Sequence, residues 1–283
     1  MSSESQPPDA PERAADPEKK KESWWDTLRF LLILFVATLL VRSFVFAPFS
    51  IPSGSMLPNL AIGDYLFVTK WPYGWSRYSI PWGLGGPFSG RIWGGLPERG
   101  DIVVFRYPGS ANEDFVKRVI GLPGDRVAVR DGVVILNGEP IQRQRIADYA
   151  MPISPNSPCR IVGSDPGARE VTGPSGPECR YPRYRETLPG GRSYEVLDQG
   201  EGELDDWAEI VVPEGQLFVM GDNRDDSADS RVPTAQNGVG LLPIDNLLGE
   251  VFIAFWSTDG SAEWLKPWTW FSAARWSRIG TLY

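Results

Sequence analysis

The chain contains no histidine. A hydrolytic serine needs a base beside its hydroxyl, so the commonest base is excluded at the outset. Cysteine is scarce as well, with Cys159 and Cys179 the full complement, and without histidine they cannot build a zinc site. Positive charge is in deficit: 28 Lys and Arg face 36 Asp and Glu, for a formal net charge of −8. A phosphate backbone would need a basic face, and none is evident, so nucleic acid is not an expected partner. No internal repeat is found, and no long amphipathic helical pattern follows residue 49. What the chain does have is a hydrophobic content of 42% over 283 residues. That is enough for one large or two modest domains with a real core.

Residues 1–23 are polar and charged without an aromatic residue, which reads as a disordered tail. Trp24 and Trp25 end it, and FLLILFVATLLV follows. About 20 residues cross a bilayer core, and residues 28–48 reach that length if Arg29 and Arg42 extend toward the headgroups. Lys19, Lys20, Lys21 and Arg29 lie on the N-terminal side, and beyond Arg42 no Lys or Arg occurs before Lys70. The tail is therefore expected in the cytoplasm and the remainder outside. A cleavable signal peptide is the alternative, with Val45-Phe46-Ala47 as a cleavage-like site; the long apolar run and Pro48 favour a retained anchor.

Beyond the anchor the pattern is β. RVAVRDGVVILNGEPI reads as short strands joined by Asp131-Gly132 and Asn137-Gly138 turns. Further strands are expected over residues 65–69, 102–107, 115–120, 216–220 and 250–256. Residues 151–191 are rich in Pro and Gly, lack periodicity and read as an insertion. In an exported domain Cys159 and Cys179 read as a disulfide closing that excursion, although two separate thiols fit the spacing as well. Tryptophans cluster at Trp71, Trp75, Trp82 and Trp93, and again at Trp256, Trp264, Trp268, Trp270 and Trp276. Core packing and a surface resting on lipid are both open readings.

Ser53-Gly54-Ser55-Met56 stands between Pro52 and Pro58, which restrict the backbone around Ser55. Neither a G-x-S-x-G elbow nor an S-x-x-K box is present, so a base for Ser55 must come from elsewhere. Lys117 is the candidate. On a strand, Phe115, Lys117 and Val119 share one face, and desolvation there would depress the amine toward neutrality. From pattern alone, the favoured reading is a lysine that simply extends out of a half-buried strand.

FSIPSGSMLPNLAIGDYLFVTK (residues 49–70), RGDIVVFRYP (99–108), DFVKRVIGLPGD (114–125) and GDNRDDSADSR (221–231) together resemble the bacterial type I signal peptidases. The resemblance implies that Ser55 is a nucleophile and Lys117 its general base. It gives Ser53 a place in the oxyanion hole with the Ser55 N–H, Ser227 the task of orienting the lysine amine, and Asp229 and Arg231 a supporting ion pair. Asp222 and Arg118 take structural roles. Ile51, Pro52, Met56, Leu60, Phe115 and Val116 would line a first substrate pocket, and Phe49, Ile51, Leu66, Val104 and Asp114 a third. Such pockets admit small residues of the Ala-x-Ala type.

The layout expected is a mainly β protein: a tail (1–23), a transmembrane signal-anchor helix (24–48), an antiparallel β catalytic core (49–128 and 213–283) and an inserted smaller β-rich subdomain (129–212). The function expected is membrane-bound endopeptidase cleavage of signal peptides from exported preproteins, by a monomer without cofactor or metal. The catalytic domain would sit on the outer, periplasmic face of the bacterial inner membrane, with signal peptides and the lipid bilayer as partners. A related peptidase dedicated to one secretion or conjugation substrate is the alternative, and a non-catalytic membrane-anchored binding domain a further one.

Overall fold

The computed structural model describes residues 24–80, 85–87, 89–110, 112–162, 167–174, 176–263 and 265–283. The tail of residues 1–23 with its three lysines, and Trp82 and Trp264, lie outside the described residues. Helix α1 (Trp24–Phe44) comes first. At 21 residues it is long and apolar enough to cross a membrane, since about 1.5 Å of rise per residue gives roughly 30 Å. Among the described residues, the part of α1 up to Thr38 separates from a compact unit of residues 39–283.

The strands follow as β1 (Phe46–Ser50), β2 (Asp64–Thr69), β3 (Ile102–Arg106), β4 (Asp114–Gly121), β5 (Arg126–Arg130), β6 (Val133–Leu136), β7 (Glu139–Pro140), β8 (Gln142–Pro152), β9 (Arg169–Gly173), β10 (Gly176–Thr187), β11 (Ser193–Leu197), β12 (Trp207–Val211), β13 (Gln216–Met220), β14 (Leu242–Pro243) and β15 (Leu247–Ser257). Helix α2 (Trp268–Ala273) is a short piece near the end. The fold is mainly antiparallel β. One sheet runs β1-β2-β15-β3-β4-β13-β14, a second β11-β10-β8 with β9 beside β10, and a third β12-β5-β6-β7. Two register breaks in β15 against β2 are the kind of bulge that deepens a sheet's coil.

The two expected tight turns form. Asp131 and Gly132 have φ of 47° and 72°, and Asn137 and Gly138 56° and 88°. Both pairs take the left-handed conformations that a two-residue hairpin loop requires. One expectation is corrected. The helix expected over 24–48 stops at Phe44, because Val45 turns its carbonyl to the Lys70 N–H and β1 pairs with β2. Pro48 fits there: on an edge strand its missing N–H costs no ladder bond. Residues 151–191 hold β9 and β10. Pro177 and Pro182 hide β10 from sequence pattern, and Pro182 sits at the register break between Tyr181 and Arg183.

The apolar core forms patches that brace the loops between strands. Ile51, Met56, Leu60, Leu66, Val68, Val104 and Val251 pack together beneath the β1–β2 connection. Val127, Val129, Val134 and Leu136 of the hairpin pack on Phe218 and Met220 of β13. Leu57 and Ala61 pack against Met151, Cys179, Tyr181 and Leu197. Each large side chain fully buried this way contributes about 1.5–3 kcal/mol. The β1–β2 connection is thus held from two sides.

Candidate active site

Ser55 lies on that connection. The Ile51 N–H donates to Asp64 and the Gly63 N–H to Ile51, closing its neck, while the Leu60 N–H donates to Met56. Carbonyl oxygens of Ser55 and Gly54 accept from the backbone N–H (3.0 Å) and side-chain amide (3.2 Å) of Asn223. Gly221 completes the contact. A Cβ there would stand 2.6 Å from the Ser55 carbonyl oxygen and collide with Ser227 Oγ, so only glycine lets the two segments meet.

Lys117 reaches Ser55 from β4: Nζ lies 2.6 Å from Oγ, with the lysine 4% exposed. The strand alternation holds, for Nζ also sits 5.9 Å from the Phe115 ring centroid on the same face. Burial lowers the Lys117 pKa to about 8, against the charges of Asp229, Asp222 and Asp226, which raise it, and with Arg231, which lowers it. Asp229 is fully buried and takes both the Nε–H (2.9 Å) and an Nη2–H (2.9 Å) of Arg231 and the Gly221 N–H (3.0 Å). These hold its carboxyl below the usual range despite burial. On the other face of β4, Arg118 grips Asp222 with two bonds of 2.7 Å, and Asn59 donates to the same carboxylate.

A cleft of about 510 Å³ opens over this pair, lined by Pro52, Ser53, Ser55, residues 114–117, residues 225–228 and Val232. Of the pocket residues expected, Pro52, Asp114, Phe115 and Val116 border it. Ile51, Met56, Leu60, Leu66 and Val104 stand behind the wall in the packed core, with Phe49 half-buried against them. Ser53 is exposed on the rim. Ser227 Oγ is buried in the cleft wall with no hydrogen-bond partner among the described residues, and the Lys117 amine bonds Ser55.

The cleft has a second property. Strand β4 pairs with β3 from Asp114 to Arg118, whereas β13 joins its other edge only from Arg118 onward. Among the described residues, 114–117 therefore carry one edge without a strand partner, beside Ser55, where an extended peptide can add main-chain bonds. Cys159 and Cys179 are joined across a separation of 20 residues. Among the described residues no His, Cys, Asp and Glu cluster suits a metal ion.

Several residues that hold the site carried no signal in the sequence. Asn223 lies inside a recognised segment but gave no sign of its reach to Gly54. Arg275 and Arg278 pair with Asp64 over separations of 211 and 214 residues, at 3.2 and 2.7 Å, and nothing local marks them.

The family model described as signal peptidase, peptidase S26, matches residues 24–256. A signal peptidase I of Rickettsia akari (strain Hartford) is 34% identical over 249 residues, 84% of this chain and 80% of its own. That of Rickettsia felis (strain ATCC VR-1525 / URRWXCal2) is 33% identical over 272 residues, 88% and 89% of the two chains. A crystal structure of a signal peptidase I from Enterococcus faecalis V583 covers 55% of this chain and 97% of its own at 25% identity, with a TM-score of 0.27, so the assignment stands on the sequence matches. A family model over most of the chain, and relatives a third identical over most of both lengths, mean that this chain belongs to the signal peptidase family of S26 peptidases.

Proposed function

We propose that the chain is a membrane-anchored serine endopeptidase that removes signal peptides from exported preproteins with a dyad of Ser55 and Lys117. The observation that carries this reading is the 2.6 Å approach of a buried lysine amine, its pKa lowered to about 8, to a serine hydroxyl in an open cleft. Neutral Lys117 accepts the Ser55 proton as Oγ attacks the scissile carbonyl. The Ser55 N–H and Ser53 hydroxyl receive the oxyanion, each such donor being worth about 3 kcal/mol. Lysine returns the proton to the departing amine, which leaves an acyl-enzyme. Water, deprotonated by the same amine, releases the signal peptide and restores Ser55.

The substrate segment would extend along the free edge of residues 114–117, with small residues set against Pro52, Phe115 and Val116 and near Asp114. Helix α1 would hold the enzyme in the bilayer, with its N-terminus in the cytoplasm and the catalytic domain on the periplasmic side. Exposed Trp268, Phe271 and Trp276 give the domain an apolar surface of its own for lipid. The insertion of residues 129–212 and its Cys159–Cys179 bond would brace the loop behind Ser55. The test is cleavage of a preprotein by the detergent-solubilised chain. Loss of cleavage in both Ser55→Ala and Lys117→Ala is expected, and undiminished cleavage by either variant would refute the dyad.

A further inference from the structure

Three carboxylates act on the Lys117 amine, and each has an arginine of its own. Asp229 is matched by Arg231 and Asp222 by Arg118, all four side chains being buried. The third, Asp226, lines the cleft next to Ser227, and its partner is Arg160, whose Nη2 lies 2.9 Å from Oδ1. Arg160 differs from the other two in being 63% exposed at its side chain. An exposed ion pair gains little unless its side chains are already held, because holding them costs rotamer freedom.

Something does hold Arg160. Its neighbour Cys159 is bonded to Cys179, which is fully buried in β10 against Leu57 and Ala61, and both of those belong to the connection bearing Ser55. The Arg160 N–H also donates to the Tyr181 hydroxyl at 3.0 Å. The backbone of Arg160 is thus pinned at its N-terminal side by two restraints, to the same wall that supports the nucleophile. The groups facing Asp226 are Arg160 and Lys117; those facing Lys117 are Asp229, Asp222, Asp226 and Arg231.

We propose that Arg160, pinned by the Cys159–Cys179 bond, is a positioning residue that partly cancels the Asp226 charge at Lys117 and so fixes the pH range in which the enzyme works. The inference rests on the dyad proposed above. Losing Arg160 leaves the Asp226 charge uncompensated, favours protonated Lys117 and moves the acid limb of activity to higher pH. Losing the Asp226 charge moves it the other way.

The experiment is the pH dependence of kcat/KM for preprotein cleavage by the full-length chain in detergent. Arg160→Ala should move the acid limb up by roughly 0.3–0.5 unit, as for one partly screened unit charge. Arg160→Lys should restore it, and Asp226→Asn should move it down by a similar amount. With Asp226→Asn in place the unpaired, exposed Arg160 side chain is free to turn into solvent, so adding Arg160→Ala should shift the limb by less than it does in the parent chain. The Cys159→Ser, Cys179→Ser double variant should shift the limb upward by less than Arg160→Ala does. A limb that stays in place in Arg160→Ala while Asp226→Asn still moves it overturns the role of Arg160 and leaves the dyad intact. So does activity lost equally at every pH, which would mean simple structural damage. Cleavage surviving in Lys117→Ala overturns the dyad itself.

Discussion

The backbone N–H of Asn223 donates to the Ser55 carbonyl oxygen at 3.0 Å, and its side-chain amide donates to Gly54 at 3.2 Å. Two loops distant in sequence are therefore joined at the nucleophile itself, and the close approach exists because Gly221 has no side chain. Asn223→Ala keeps the main-chain bond and removes the other, leaving a buried carbonyl short of a partner. A loss of about 1–2 kcal/mol in stability is expected, read from the denaturant midpoint. Gly221→Ala should do more, since the added methyl must displace either the Ser55 backbone or Ser227. An overpacking cost of about 1–3 kcal/mol should accompany a fall in kcat of about tenfold or more. Gly221→Ala with normal kcat would show that the close approach is not needed for the chemistry.

The lowered lysine sets the direction of the pH response. Only neutral Lys117 can accept the Ser55 proton, so kcat/KM should fall about tenfold per pH unit below roughly pH 8 and level off above it. An acid limb near pH 10.5, the ordinary lysine value, would show that burial does not depress the amine in solution.

The same shift carries a stability signature, because a group whose pKa is lower in the folded chain binds fewer protons there than in the unfolded one. Between about pH 8 and 10.5 the unfolded chain binds a proton at Lys117 that the folded chain does not. Stability should therefore rise with pH across that window, and protonated Lys117 is a burden below it. Lys117→Met removes the burden, so the variant should be inactive yet more stable at pH 7 by up to a few kcal/mol. Denaturant melts of the two proteins at pH 7 and pH 10 decide this; a gap that does not narrow at the higher pH would contradict it.

Local signals made some of this legible and long-range ones did not. Asp131-Gly132 and Asn137-Gly138 announce their hairpins because the turn conformation is dictated within two residues. Lys117 could be put on an apolar face by strand alternation, but its 2.6 Å contact with Ser55 is tertiary, and only motif resemblance pointed to it. Strand β10 stayed hidden because its two prolines and its arginines mask the alternation. Ser227 shows the converse limit: a motif can bring a residue to the cleft without fixing the partner of its hydroxyl. The arginines near the end of the chain had no readable signal, since their partner Asp64 opens β2, 211 and 214 residues earlier.

Those arginines bear on the nucleophile in a way that can be measured. Asp64 is fully buried at the foot of the β1–β2 connection, where it accepts from the Ala61 N–H (2.8 Å), Ser257 Oγ–H (2.7 Å), Arg275 and Arg278. Arg278 also donates to the Asn59 carbonyl at 2.6 Å, four residues past Ser55. Arg278→Ala would leave a buried carboxylate with one cation fewer and the connection with a carbonyl partly unpaired. A loss of about 3 kcal/mol is expected, the scale for breaking a buried pair from one side. Arg278→Lys should recover part of it as a point charge without the planar fork. Adding Asp64→Asn to Arg278→Ala should also recover part, because the uncompensated charge goes with it. Thermal melts of the three variants test this. Equal melting temperatures for Arg278→Ala and the parent chain would mean that Arg275 alone satisfies Asp64.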